Sequence, residues 1–192
     1  MERYPTVFID RDGTINVDAG YINDPESFVM YPYAPQAVRM LNEAGFLAVV
    51  ITNQSGLGRG FFTLDIMNSI HKKMYGIFNK NGATIDGLYY CPHDPNAKVA
   101  EYKADCNCRK PKTGMVDAAV AELPIDTNNM YFISDKYSDM KTGFASGCKT
   151  IMVETGYGKG ELLNKSKDWQ RMPDKTAPNL LEAVKLILNK EI

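Results

Sequence analysis

The chain has 192 residues, with 22 Lys and Arg against 23 Asp and Glu, for a net charge of −1. That balance leaves no basic excess for a nucleic-acid backbone, and no apolar run is long enough for a membrane helix, so neither partner is expected. An apolar fraction of 44% and a charged fraction of 23% fit an ordinary globular protein with enough chain for one core.

The first residues, MERYP, resemble no secretory leader and run into a strand over 6–10 (TVFID). The cytoplasm is therefore the expected compartment. A helix is predicted over 35–44, ended by Gly45, and a second buried strand over 47–53 (LAVVITN). Residues 63–80 read as a helix with Thr63 as N-cap and Asp65 in its first turn. A third strand is expected over 87–91, and then a long loop rich in Pro, Asp and Lys over 92–112. A helix over 112–122, a strand over 130–135 (MYFISD), a helix over 138–146 closed by Gly147, a strand over 150–154 and a helix over 179–190 complete the pattern. No repeat or linker interrupts residues 1–192, which read as a single domain.

Short, continuously apolar strands alternating with helices predict an α/β protein: a Rossmann-like, doubly wound parallel sheet covered on both faces. Such sheets bind ligands at the carboxyl ends of their strands. Asp10, Thr52, Asn53 and Asp135 all fall at such ends.

Asp10-Arg11-Asp12-Gly13-Thr14 follows the first strand. Two carboxylates at i and i+2 suit a nucleophile that also ligates metal and a general acid/base folded back by Gly13; the same residues also suit a plain Asp-rich turn. Thr52-Asn53-Gln54-Ser55-Gly56 offers hydrogen-bond donors for phosphate oxygens, and Arg109-Lys110-Pro111-Lys112 offers cations ahead of a helix. Asp135 suits a Mg2+ ligand, an oxygen donor for a hard cation, as well as a helix N-cap.

A further cluster is Cys91-Pro92-His93 and Cys106-Asn107-Cys108, with 12 residues between the pairs. Three thiols and an imidazole in paired spacing are what a closed tetrahedral zinc site needs, so a zinc-binding loop is expected over 91–108, the alternative being three buried cysteines and an incidental His. In a reducing compartment such clustering favours metal over disulfides. Zinc there would pin a loop poor in apolar residues and hold Arg109 and Lys110, which follow Cys108 directly. Cys148 reads as a packed thiol and His71 as a helix-surface residue.

The order DxDGT, strand-Thr-Asn, Lys before a helix, then strand-Asp with a second acid four residues on resembles the haloacid dehalogenase superfamily of phosphatases, from about Val7 to Glu154. The resemblance implies Asp10 as nucleophile, Asp12 as general acid/base, and Thr52 and Lys110 as stabilisers of the transferring phosphoryl group. It implies Mg2+ held by Asp10, the backbone carbonyl of Asp12, and Asp135. Ser134 stands where Gly is frequent in that superfamily. Among its zinc-loop members, one branch acts on a heptose bisphosphate and another on histidinol phosphate. The long zinc loop, the segment SGLGRGFFT and the segment DAGY resemble the heptose branch. That likeness implies substrate contacts from Asp18, Ala19, Gly20, Tyr21, Asn53, Gln54, Ser55, Arg109 and Lys136, with Arg109 on the second phosphate. The expected partner is a small sugar bisphosphate. The connections leave no room for a large cap domain, and a monomer is the default expectation.

Overall fold

A computed structural model describes residues 2–192 of the protein. Six strands form one sheet: β1 (Tyr4–Ile9), β2 (Leu47–Asn53), β3 (Gly87–Cys91), β4 (Ile125–Ser134), β5 (Lys149–Val153) and β6 (Lys175–Ala177). Their order is β3-β2-β1-β4-β5-β6 and every neighbouring pair is parallel. This is a doubly wound α/β sheet, as the alternation of strands and helices predicts, and the strand order reverses between β1 and β4.

The helices are α1 (Ala34–Glu43), α2 (Ser55–Gly58), α3 (Leu64–Lys80), α4 (Gly114–Glu122), α5 (Tyr137–Ala145), α6 (Gly158–Lys165) and α7 (Leu180–Leu188). Alternation along the strands divides the core into two layers. Val7, Ile9, Ala48 and Val50 pack with α1, α3 and α7; Phe8, Val49 and Ile51 pack with α4 and α5 on the opposite face. The strands are apolar on both sides because helices cover both sides. Phe8, Phe78 and Phe132 are wholly buried, and truncating any one to Ala would cost about 3–5 kcal/mol.

Several boundaries differ from the sequence reading. The short strand β6 and the helices α2 and α6 are additional, being too short or too weakly periodic to stand out. β4 begins at Ile125 rather than 130, because Tyr4 N donates to Pro124 O (2.8 Å) and starts the pairing before the apolar run. Thr63 does cap α3, accepting from Ile66 N. His71 is a correction: it is 6% exposed, on the stripe that buries Met67, Ile70 and Met74. Among the described residues no helix is long and apolar enough to cross a membrane.

The long connection after β3 is tied to the rest of the molecule by polar contacts as well as by small apolar ones, with Ala97 buried and Tyr102 packed against Leu57, Phe62 and Met67. Arg59 bonds the buried Asp94 (Nε–Oδ2 2.8 Å), and Val99 N donates to Gly58 O (3.0 Å). These contacts set the Cys/His loop beside the carboxyl ends of β2 and β3.

Candidate active site

A cavity of about 470 Å³ opens at the carboxyl ends of β1, β2 and β4. Its walls include Asp10, Asp12, Asp18, Gly20, Tyr21, Thr52, Asn53, Gln54, Ser55, Arg109, Lys110 and Lys136. Residues far apart in the chain, read separately as phosphate-site candidates, thus share one hollow. Ala19 does not line it, and Asp135 is fully buried rather than part of its surface.

Asp10 leaves the end of β1 and is 4% exposed. Lys110 Nζ lies 2.7 Å from its Oδ1 and 2.6 Å from Asp139 Oδ2, and donates to Ile51 O at 3.2 Å. Ser134 Oγ donates to Asp139 Oδ2 (3.0 Å) and lies 3.4 Å from Asp10 Oδ2. Ser134 therefore adds a hydroxyl bond to the carboxylate cluster, which a glycine there would lack. Burial pushes Asp10 up to about 6; Lys110 opposes the rise and Asp139 reinforces it. Lys110 is held above the usual ammonium range: burial works against its charge, and Asp10 and Asp139 outweigh it.

Asp139 is a site residue that the sequence pattern marks only as a second acid, without a role. Its signal was its place in the first turn of α5, four residues after Asp135. Ser138, next to Asp139, and Tyr157 also line the cavity, and nothing in the sequence surroundings of Tyr157 marks it.

Asp12 is reached by donors from three directions. Arg11 forks onto both oxygens (Nη2–Oδ2 2.8 Å), Asn16 Nδ2 donates at 3.0 Å and Gln54 Nε2 at 3.0 Å. Burial raises the carboxyl, but Arg11, Asn16 and Gln54 outweigh it and hold Asp12 below the ordinary carboxylate range. Gln54 Nε2 also donates to Thr52 Oγ1 (2.8 Å), joining strand end to turn. Asn53 clasps the backbone of Lys110 both ways: Lys110 N donates to Oδ1 at 3.1 Å and Nδ2 to Lys110 O at 3.2 Å. It thereby docks the Arg109–Lys110 turn onto β2.

Gly13 allows the tight return after Asp12. Its φ is +83°, and a Cβ there would meet Asp135 Oδ2 at 2.1 Å. Conformation and space both exclude a side chain. Asp135 Oδ2 accepts from Tyr157 N (2.8 Å), while Oδ1 is buried with no hydrogen-bond partner among the described residues. Burial, then the Asp10 carboxylate, push Asp135 up to about 8. Lys136 Nζ bonds Asp18 Oδ2 (3.0 Å) and stands 4.6 Å over the Tyr157 ring. Tyr21 packs on Phe61 with ring centroids 4.4 Å apart at the rim.

Cys91, His93, Cys106 and Cys108 converge as their spacing predicts, with donor atoms all within 4.8 Å of one another. The sulfurs lie 3.1–3.5 Å apart, and His93 Nδ1 is 3.3 Å from Cys108 Sγ. Four such donors could hold one tetrahedral metal ion, whose ligating sulfurs sit roughly 3.8 Å apart. From this loop His93 O accepts from Arg109 Nη1 (3.0 Å), which ties the metal cluster to the cavity wall. Cys148 is a buried thiol elsewhere.

A model of the HAD-hydrolase-like family matches residues 107–183. A Yersinia pestis protein named D-glycero-beta-D-manno-heptose-1,7-bisphosphate 7-phosphatase is 42% identical over 79% of this chain and 81% of its own length. The chain belongs to the haloacid dehalogenase-like hydrolases. This hydrolase is also 43% identical to a protein of the same name from Vibrio cholerae, over 79% of its length and 82% of the relative. The solved structure of a D,D-heptose 1.7-bisphosphate phosphatase from B. bronchiseptica, complexed with magnesium and phosphate, superposes with a TM-score of 0.85 at 29% identity, covering 97% of this chain and 99% of that one.

Proposed function

We propose that this hydrolase is a magnesium-dependent phosphoric monoester hydrolase, a single domain over 1–192, that removes the C7 phosphate of D-glycero-D-manno-heptose 1,7-bisphosphate in nucleotide-activated heptose biosynthesis. The observation that carries the reading is the cavity floor: a buried aspartate bridged to a buried lysine at 2.7 Å, in a cavity whose walls also carry Arg109 and Lys136. Relatives about 40% identical that bear the heptose name support the substrate.

In this reading the Asp10 carboxylate attacks the C7 phosphorus and forms an aspartyl-phosphate. Lys110 and Thr52 stabilise charge on the phosphoryl oxygens, in a wall already fixed before substrate arrives. Asp12 protonates the departing C7 oxygen, then takes the proton of the water that cleaves the acyl phosphate. The arriving phosphate dianion opposes the cations around Asp12 and favours the protonated carboxyl that the first step needs. Arg109 holds the second phosphate, its planar guanidinium suiting two oxygens at once. Asp18, Tyr21, Asn53, Gln54, Ser55 and Lys136 shape the remaining contacts with the sugar.

The donors fit magnesium. Burial raises both Asp10 and Asp135, the Asp10 carboxylate raises Asp135 further, and one oxygen of Asp135 lacks any partner among the described residues, as expected where an oxygen-seeking cation belongs. Asp10, the Asp12 carbonyl and Asp135 would hold it, and it supplies charge stabilisation for the transferring phosphoryl group. A pH dependence follows. Asp10 at about 6 and Asp135 at about 8 both lie above the ~4 of an unfolded aspartate, so the folded protein keeps protons that the unfolded chain has released. Without divalent cation these two groups contribute stability below about pH 4 and lose it as the pH rises through 6 to 8. A cation needing both ionised reverses the loss. Excess magnesium should therefore raise Tm more at about pH 8.5 than at about pH 5.5. Equal shifts would count against these ligands.

We assign the Cys/His cluster to structural zinc. Native protein should contain about one zinc per chain by elemental analysis, and Cys108→Ser should lose it, with a cost of about 3 kcal/mol or roughly 6–12 °C in Tm. Zinc-free native protein would end the assignment.

The substrate is tested by phosphate release, with and without magnesium, from heptose 1,7-bisphosphate and histidinol phosphate. A preference for the heptose of at least ~100-fold in kcat/KM, about 2.7 kcal/mol, is expected. Preference for histidinol phosphate would refute the substrate and leave the chemistry standing.

A further inference from the structure

Arg11 sits between the two site carboxylates in sequence and is 2% exposed, foremost among the fully buried side chains. A buried guanidinium needs partners for its N–H groups. Nε donates to Asp12 Oδ1 at 3.2 Å, and Nη2 to Oδ1 and Oδ2 at 2.9 and 2.8 Å. The remaining nitrogen, Nη1, meets His71 Nε2 at 3.1 Å, 60 residues along the chain. Guanidinium only donates, so His71 Nε2 accepts and the ring carries its proton on Nδ1. Burial, with the Arg11 charge added, pushes His71 down to about 4, which keeps the ring neutral and the acceptor available. His71 is itself fixed. It lies on the buried stripe of α3, between the fully buried Met67 and Met74, with the Tyr90 ring 6.0 Å away.

We propose that His71 is a positioning residue that, through Arg11, orients the Asp12 carboxylate for proton transfer at the leaving group. The inference rests on the reading of Asp12 as general acid/base. Asn16 and Gln54 reach Asp12 from other sides, but among the described residues only Arg11 grips both oxygens as a fork. A fork fixes the plane of a carboxylate, which single donors do not. Arg11 is long and flexible, and His71 fixes its far end. Without that acceptor a buried N–H has no partner, the guanidinium turns to find one, and the fork on Asp12 opens. The loss would fall on proton donation, because neither His71 nor Arg11 lines the cavity where the phosphate sits.

The test uses the full-length enzyme with magnesium and compares kcat/KM on two esters. Heptose 1,7-bisphosphate loses an alkoxide that needs a proton; 4-nitrophenyl phosphate loses a phenolate that does not. kcat/KM reads only through formation of the phosphoenzyme, so the later water step does not enter. His71→Met, which fills the space without an acceptor, should lose ~30-fold on the sugar and less than ~3-fold on the aryl ester. His71→Gln, whose amide oxygen can still accept from Arg11, should stay within ~3-fold of wild type on both. A His71→Met loss equal on the two esters, or absent from both, overturns the inference and leaves His71 a packing residue. If His71→Met does not fold by circular dichroism, His71→Asn, with its acceptor withdrawn, takes its place in the same comparison. Asp12→Asn runs alongside. A selective loss on the sugar in Asp12→Asn with none in the His71 variants sinks only the positioning role. An Asp12→Asn loss equal on both esters sinks the acid/base reading and this inference with it.

Discussion

Asp10→Asn is expected to lower turnover by at least ~10⁴-fold while leaving the fold intact. Asparagine has the same shape and keeps an oxygen for Lys110, so the contact at 2.7 Å need not be lost. What it lacks is the nucleophilic carboxylate, and no other group on the cavity floor stands in the same place. Stability should hold or rise. The substitution removes one of three buried carboxylates that face one another at the strand ends, Asp10, Asp135 and Asp139, and Lys110 keeps Asp139 as a counter-ion at 2.6 Å. Steady-state phosphate release and a thermal melt on the same preparation check both halves. Residual activity within ~10-fold of wild type would remove Asp10 from the nucleophile role.

Lys110→Met should be costly in both respects. The lysine side chain is 1% exposed and bridges two carboxylates that are 6% and 5% exposed. Methionine fills similar space but leaves both anions without their cation and Ile51 O without its donor. Breaking a buried pair in this way costs about 3–5 kcal/mol, or roughly 6–20 °C in Tm for a chain of this size. Turnover should fall ~10²–10³-fold, the usual cost of one fixed donor to developing charge. The deficit has a pH signature. Asp10 already lies at about 6 with Lys110 present, and without it the carboxyl moves higher. The variant should thus recover stability on acidification from about pH 8 to about pH 5, and more of it than wild type does. A melting temperature unchanged from wild type at neutral pH would show that the pair is not a structural tie.

Much of the architecture is readable from local pattern. Leu47–Asn53 is an unbroken buried strand ending in polar residues, and its length and ends match the sequence reading. Thr63 caps α3 because a hydroxyl at that position meets the free N–H groups of the first turn. The metal cluster was legible because ligand spacing is itself a local signal. His71 was misread although its signal was present: it stands four residues after Met67 and three before Met74, on the buried stripe of the helix. Its polarity concealed the periodicity.

By itself the sequence determined the alternation of strands and helices, the carboxylates at the strand ends and the four soft donors, since each depends on residues adjacent or regularly spaced in the chain. The tertiary structure decided the strand order, the joining of Lys110 to Asp10 and Asp139, the clasp of Asn53 on Lys110, the entry of Tyr157 into the cavity and the line from His71 through Arg11 to Asp12. The physical reason is common to all of these. A polar side chain's partner depends on which buried donors and acceptors packing leaves close together, and residues 60 or 100 positions apart carry no mark of that in their own surroundings.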